Sequence, residues 1–164
     1  EKTTLEIGKY KVSRATGKDA ILLSALTRQD WTERVAVSQR RDDNENVSAV
    51  NEELKRGGGF LLTRSGMPIG GAFYTPVKDT IWELRRLGVI KTFSGRGLTS
   101  LLLEAIEGSA RKRNIQMVRV PVSTENTVTR HYFEQLGYRL VPGATMITAF
   151  PSASQPLMMQ KFLM

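Results

Sequence analysis

The chain contains no cysteine. That absence removes disulfides, zinc–thiolate sites, iron–sulfur clusters and a thiol nucleophile from consideration, and it suits a reducing, cytoplasmic setting. A single histidine, His131, has no partner at metal-ligand spacing and reads as a surface or satisfied helix residue. No Gly-x-Ser-x-Gly element marks a nucleophile elbow. No apolar run is long enough to span a membrane. The first residues alternate polar and apolar without a signal-peptide core. The chain opens on Glu1 rather than Met, as expected where a few native residues are missing.

What remains is the composition of an ordinary globular protein. Apolar residues make up 40% and charged residues 24% of 164 residues. That size predicts one domain over residues 1–164, large enough to bury a core without staples. The formal net charge is +8 and the pI about 10.0. Such a balance fits a polyanionic partner (nucleic acid, an acidic surface or a small phosphorylated cofactor) as well as it fits a generally basic soluble protein. The cations come in twos and threes, as at Arg85-Arg86 and Arg111-Lys112-Arg113, and never as a basic tail.

Hydrophobic periodicity orders the chain. Residues 5–15 alternate as one strand, with Tyr10, Val12 and Arg14 on one side. A short helix follows, with Ile21, Leu22, Ala25 and Leu26 on one face. Residues 27–46 are polar and weakly periodic, a connection with some helix. Val47, Val50 and Leu54 mark a second helix, which Gly57-Gly58-Gly59 ends with a left-handed cap and then a flexible turn. Period two then sets in: a hairpin over residues 60–75 and a long strand over 80–90. Leu98, Leu101, Leu102, Ala105, Ile106 and Ala110 form the clearest helical stripe. A strand over 116–122 carries Pro121, a mark of an edge or a bulge. A helix over 127–136 starts after Asn126 and ends at Gly137. Residues 138–141 and 157–164 close the chain as strands. The hairpin demands antiparallel pairing, and strand–helix–strand over 80–122 demands a parallel pair. The fold class is therefore α/β: a mixed, mostly antiparallel sheet with one parallel pair and helices on both faces.

Ser94-Gly95-Arg96-Gly97-Leu98-Thr99 joins the long strand to the clearest helix. Glycines there let backbone approach a ligand, and the first helical N–H groups with the helix dipole suit a pyrophosphate. The loop lacks the Gly-Lys-Ser/Thr of a Walker loop, and Ser100 stands where a dinucleotide fingerprint has its third glycine. Alone it is as compatible with a plain turn as with a phosphate site.

Its setting is more specific. Residues 83–138 resemble the acyl-CoA-binding core of the GCN5-related N-acetyltransferase (GNAT) family. Leu87-Gly88-Val89 looks like that family's strand end, Ser94 to Thr99 like its pyrophosphate loop, and Asn126 with Phe133-Glu134-Gln135-Leu136-Gly137-Tyr138 like its later motif. The resemblance implies a splayed parallel strand pair and acetyl-CoA as co-substrate. It implies that Val89 backbone groups bond the pantetheine arm and polarise the thioester carbonyl. Amides of Gly95, Arg96, Gly97 and Thr99 would hold the pyrophosphate, and Asn126 the pantetheine. Leu87, Ser94, Leu98 and Phe133 complete the cofactor-site positions. Three departures stand out. Ser94 replaces a long Arg or Gln, and Thr99 replaces a small residue. Phe133 replaces a tyrosine general acid, while Tyr132 beside it is rotated about 100° around the helix.

The chemistry then needs little help at the leaving group, because a thiol pKa is about 8.5, but a protonated amine with a pKa near 10 must lose its proton. Glu83 is the candidate base. A strict strand alternation puts it on the face shared by Val89 and Arg85, and an ion pair with Arg85 is the bland alternative. Trp31 and Trp82 could line an acceptor pocket or simply pack. The reading is an acetyl-CoA-dependent N-acetyltransferase acting on an amine of a small molecule or peptide, without metal or membrane, and compatible with a homodimer. The rival is a non-catalytic module of the same fold that binds CoA or nucleic acid through its basic surface.

Overall fold

The computed structural model describes residues 3–27, 31–33, 47–93, 95–122, 127–141 and 157–163. In chain order the elements are β1 (Thr3–Ile7), β2 (Tyr10–Ala15), α1 (Ala20–Thr27), β3 (Trp31–Glu33), α2 (Val47–Arg56), β4 (Gly58–Arg64), β5 (Met67–Val77) and β6 (Ile81–Ile90), then α3 (Leu98–Lys112), β7 (Met117–Val122), α4 (Thr127–Gln135), β8 (Arg139–Leu140) and β9 (Leu157–Phe162). One sheet runs β1-β2-β4-β5-β6-β7-β9-β8, with β3 added on β6. Among the described residues only β6 and β7 pair in parallel.

The expected first strand is two. Gly8, at φ 59°, turns the chain so that Ile7 faces Tyr10 across an antiparallel β1–β2 pair. Continuous alternation hid the turn, since both strands keep the same period. Of the polar connection, residues 31–33 form β3, while 28–30 and 34–46 lie outside the described residues.

Helices cover both faces. α3 and α4 bury Leu98, Leu102, Ile106 and Phe133 against Val12, Phe60, Leu62, Tyr74, Leu84, Val89 and Val120. α1 and α2 bury Leu23, Leu26, Val50 and Leu54 against Leu61 and Phe73 on the other face. The alternation of β4 and β5 between these clusters is what a doubly covered sheet requires. None of Gly57, Gly58 and Gly59 is the left-handed cap the sequence suggests, as none is among the positive-φ glycines, and Gly58 and Gly59 open β4 where a flexible turn is expected. The Gly57 amide closes the last turn of α2 on Glu53 O at 3.2 Å. A Cβ there would collide with the Tyr74 carbonyl, so the glycine is required by closeness of backbone to backbone.

Two irregularities shape β6. The first is a bulge. Gly71 faces Gly88, but Phe73 faces Arg85, so β6 spends one residue more than β5 over that interval. Arg86 adopts φ 55° there. An extra residue inverts side-chain parity beyond it. Glu83, opposite Thr75, therefore points to the α1/α2 face, whereas Val89, opposite Gly70, points into the α3 core. The expectation that the two share a face is overturned. Glu83 and Arg85 do share one.

The second irregularity is a parting of strands. The parallel pairing covers only Ile81, Trp82 and Glu83 against Met117, Val118 and Arg119. Pro121 lies past this point, where β7 keeps β9 on one side and has lost β6 on the other, so it sits at a local edge and the β7–β9 register shows no bulge. Its missing N–H is harmless where the β6 partner has gone.

Candidate active site

From the end of β6 a single 3-10 turn, Lys91–Phe93, leads toward α3. Gly95 and Gly97 sit at φ 79° and 75°. Gly97 is the residue before α3, left-handed and with no side chain to cap the helix. The first bond of the helix runs from Leu101 N to Gly97 O at 3.2 Å. The N–H groups of Leu98, Thr99 and Ser100 consequently have no acceptor within the helix, and the dipole adds partial positive charge at the same point. Leu98 and Thr99 are buried and hold this end against the core. Nothing stands within 4 Å of an ideal Cβ on Gly95 or Gly97, so the space before the amides is open. Ser94 and Asn126 lie outside the described residues.

The helix start opens beside the strand parting. Beyond Glu83 the β6 edge that turns away from β5 is no longer paired with β7. Its last three residues are met by β3, with Trp31 opposite Ile90, Thr32 opposite Val89 and Glu33 opposite Gly88. Val89, whose backbone the family resemblance assigns to pantetheine, thus has Thr32 as register partner. The side chains of Leu87 and Val89 are buried in the α3 core, leaving only their backbone to meet a ligand. Phe133 is fully buried, edge-on to Tyr132 at 5.7 Å and to Tyr138 at 5.5 Å. The Tyr132 hydroxyl lies 2.8 Å from Ser100 Oγ in the first turn of α3, so this side chain reaches the helix start itself.

On the opposite face Glu83 is fully buried. Register places Thr75, Glu83, Arg119, Gln160 and Arg139 in one row across β5, β6, β7, β9 and β8. Arg119 Nε donates to Gln160 Oε1 at 3.3 Å. Burial pulls the Arg85 guanidinium below its usual pKa, with the carboxylates of Glu53 and Glu83 opposing. An arginine starts so high that it stays charged. Arg86 Nε reaches Glu53 Oε2 of α2 at 3.4 Å.

Other candidates separate from this site. Trp82 stacks on Tyr74 at 3.9 Å inside the α3 core, so it packs and does not line an acceptor pocket. His131 is exposed beside Gln135 and Glu134. It borders a shallow depression with Thr127, Val128, Arg130, Glu134 and Leu140, none of them a residue of the loop or of β6. Among the described residues no group of three His, Asp or Glu could hold a metal. No helix among them is long and apolar enough to cross a membrane.

A sheet parted at its parallel pair, with a glycine-started helix at the mouth, defines the acetyltransferase fold. The chain belongs to the acetyltransferase (GNAT) family, whose model matches residues 23–138. Acetyl-CoA is the co-substrate of that family. Among solved structures, Ard1 from Thermoplasma volcanium superposes with a TM-score of 0.74 at 16% identity, covering 96% of this chain and 99% of that one. The ribosomal-protein-S18-alanine N-acetyltransferase from Escherichia coli gives 0.70 at 18%, covering 94% of each. The PaiA N-acetyltransferase from Thermoplasma acidophilum, solved in complex with coenzyme A, gives 0.71 at 13%, covering 94% and 99%. At such identities the likeness concerns the fold. No curated protein matches the sequence significantly.

Sequence reasoning missed the bulge at Arg86, because a left-handed arginine has no sequence signal. It also missed that Tyr10 and Arg64 stand beside Phe93 and Arg96. The two strands that supply them meet only through long-range pairing, Tyr10 opposite Arg64.

Proposed function

We propose that this chain transfers an acetyl group from acetyl-CoA to an amine of a small molecule or peptide by direct attack on the thioester. The observation that carries the reading is the uncapped start of α3 at Gly97, opening beside the strand parting between β6 and β7. Three amides with no acceptor in the helix, a helix dipole and open space before two glycines fit a pyrophosphate. The amides of Gly95, Arg96, Gly97 and Thr99 hold it, together with Ser94. Leu98 fixes the helix start. Backbone of Val89, with Leu87 and Phe133 packed behind it, receives the pantetheine arm, and Asn126 bonds that arm. Because Thr32 faces Val89, a pantetheine bond to Val89 displaces β3 from that edge.

The thioester supplies an activated acyl carbon: the amine nitrogen bonds to it, the carbon–sulfur bond breaks and the thiolate departs. The chain supplies an N–H at Val89 for the developing oxyanion and a carboxylate at Glu83 for the amine proton, directly or through water. Glu83 faces α1 and α2, away from α3. Donor and acceptor therefore approach from opposite sides of the parted sheet, as a direct transfer requires.

Calorimetric titration with acetyl-CoA, followed by thiol release over a panel of amines, tests the reading. Heat and turnover are expected, and no heat at millimolar acetyl-CoA overturns it. One observation favours the rival: Phe133 leaves the usual tyrosine position without a hydroxyl. Binding without turnover on any amine would select a non-catalytic CoA-binding module, and steeply salt-dependent RNA binding a nucleic-acid module.

A further inference from the structure

Beside the start of α3, four side chains from three separate segments converge. Tyr10 opens β2, Arg64 ends β4, and Phe93 and Arg96 flank the glycine loop. The Arg64 guanidinium carbon lies 6.0 Å from the ring centres of both Tyr10 and Phe93. The Arg96 guanidinium carbon lies 4.9 Å from the centre of Phe93. One phenylalanine ring thus serves two guanidinium groups. Like charges brought together repel unless something negative lies between them.

Among the described residues neither arginine has a carboxylate partner. Other cations do have carboxylate partners: Arg86 pairs with Glu53, and the half-buried Lys161 with Glu107. Arg64 Nε is in addition buried with no acceptor, one of two such orphan donors among the described residues with Arg14 Nε, and the one that stands beside the helix start. The local field is visible on Tyr10, whose phenol is held below its ordinary pKa by the Arg96 guanidinium and then by Arg64. A place that favours the anionic form of the protein's own phenol favours an anion brought by a ligand.

Position narrows the anion. Arg96 lies between Gly95 and Gly97, so the cluster adjoins the amides of α3 that have no acceptor in the helix. A molecule whose pyrophosphate sits on those amides and which carries another phosphate a few bonds away reaches both. Guanidinium groups suit a phosphate monoester, whose oxygens accept paired N–H bonds. We infer that Tyr10, Arg64 and Arg96 form a second phosphate subsite, which takes the 3′-phosphate on the ribose of acetyl-CoA. The inference rests on acetyl-CoA being the donor. It adds that the chain distinguishes the complete cofactor from forms lacking that phosphate, and that this discrimination comes from β2 and β4, outside the loop itself.

Calorimetry with acetyl-CoA and with 3′-dephospho-acetyl-CoA tests it. Wild-type protein is expected to bind acetyl-CoA about tenfold more tightly or better, as loss of a charge-assisted contact implies. Arg64→Gln and Arg96→Gln should each weaken acetyl-CoA and narrow that ratio toward one. Binding of the dephospho ligand by each variant serves as its folding control. Equal affinity of wild type for the two ligands overturns the subsite and leaves the donor reading standing. A ratio unchanged in both variants overturns it as well. No binding of either ligand by wild type overturns the donor reading, and the subsite with it.

Discussion

Arg86 Nε stands 3.4 Å from Glu53 Oε2, joining the bulge of β6 to α2 through two buried side chains. Removing Arg86 takes the nearest cation from buried Glu53 and leaves it the charge of Arg85 at longer range. With Arg85 still nearby, Arg86→Ala should cost about 1–3 kcal/mol, below the roughly 3–5 kcal/mol of a wholly uncompensated charge, read as a fall in the urea midpoint. Adding Glu53→Gln to it should recover part of the loss, since the under-compensated charge is then gone.

Glu83→Gln keeps the shape of a fully buried side chain but cannot accept a proton. Turnover should fall about 10²–10⁴-fold while the calorimetric affinity for acetyl-CoA stays put. Full turnover in the variant would assign the proton to another acceptor.

β3 shares the β6 edge with the expected pantetheine arm. Adding acetyl-CoA should raise hydrogen exchange in residues 31–33 as their pairing with Gly88, Val89 and Ile90 is lost. Unchanged protection in the saturated protein would mean that the arm leaves Val89 to β3.

Gly57→Ala forces a methyl group onto the Tyr74 carbonyl. Backbone cannot move as a flexible side chain does, so a loss of about 1–3 kcal/mol is expected in thermal or urea unfolding. Gly66→Ala is a useful contrast: it has open space around it and tests the cost of its φ of 84° alone.

Tyr138 supplies a pH test. Its hydroxyl donates to Glu107 Oε2 at 2.9 Å, and its pKa is pushed well up by burial, then by the Glu107 charge and this hydrogen bond. The folded pKa therefore exceeds the unfolded value of about 10. Stability from this group is complete below that pH and is lost as the pH rises past it, when only the unfolded chain ionises. Tyr138→Phe should cost about 1–2 kcal/mol at neutral pH, and the gap from wild type should shrink in alkaline solution. A gap constant with pH would count against the shift.

The sequence carried most of the architecture because its signals are local. The stripe from Leu98 to Ala110 and the hairpin around Gly66 each depend on a few neighbouring residues. The glycine loop was legible for the same reason. What escaped depends on partners far along the chain. Nothing near Arg86 announces that β6 spends an extra residue against β5, yet that residue decides which way Glu83 faces. The meeting of Tyr10 with Arg64 likewise follows from strand pairing across more than fifty positions. The three glycines from Gly57 read as a helix stop through their backbone freedom, whereas Gly57 is required by the Tyr74 carbonyl of a strand far along the chain.

The parting of β6 and β7 bears on colloidal behaviour as well. An unpaired strand edge invites other chains to add to it and so to aggregate. Here the parting lies in the interior of the sheet, between β6 and β7, with β5 and β9 beyond them and β3 across the end of β6. A neighbouring protein cannot lay a broad sheet into such a slot, while a thin extended molecule can. The fold thereby keeps reactive backbone available to a ligand without presenting it to other copies of itself.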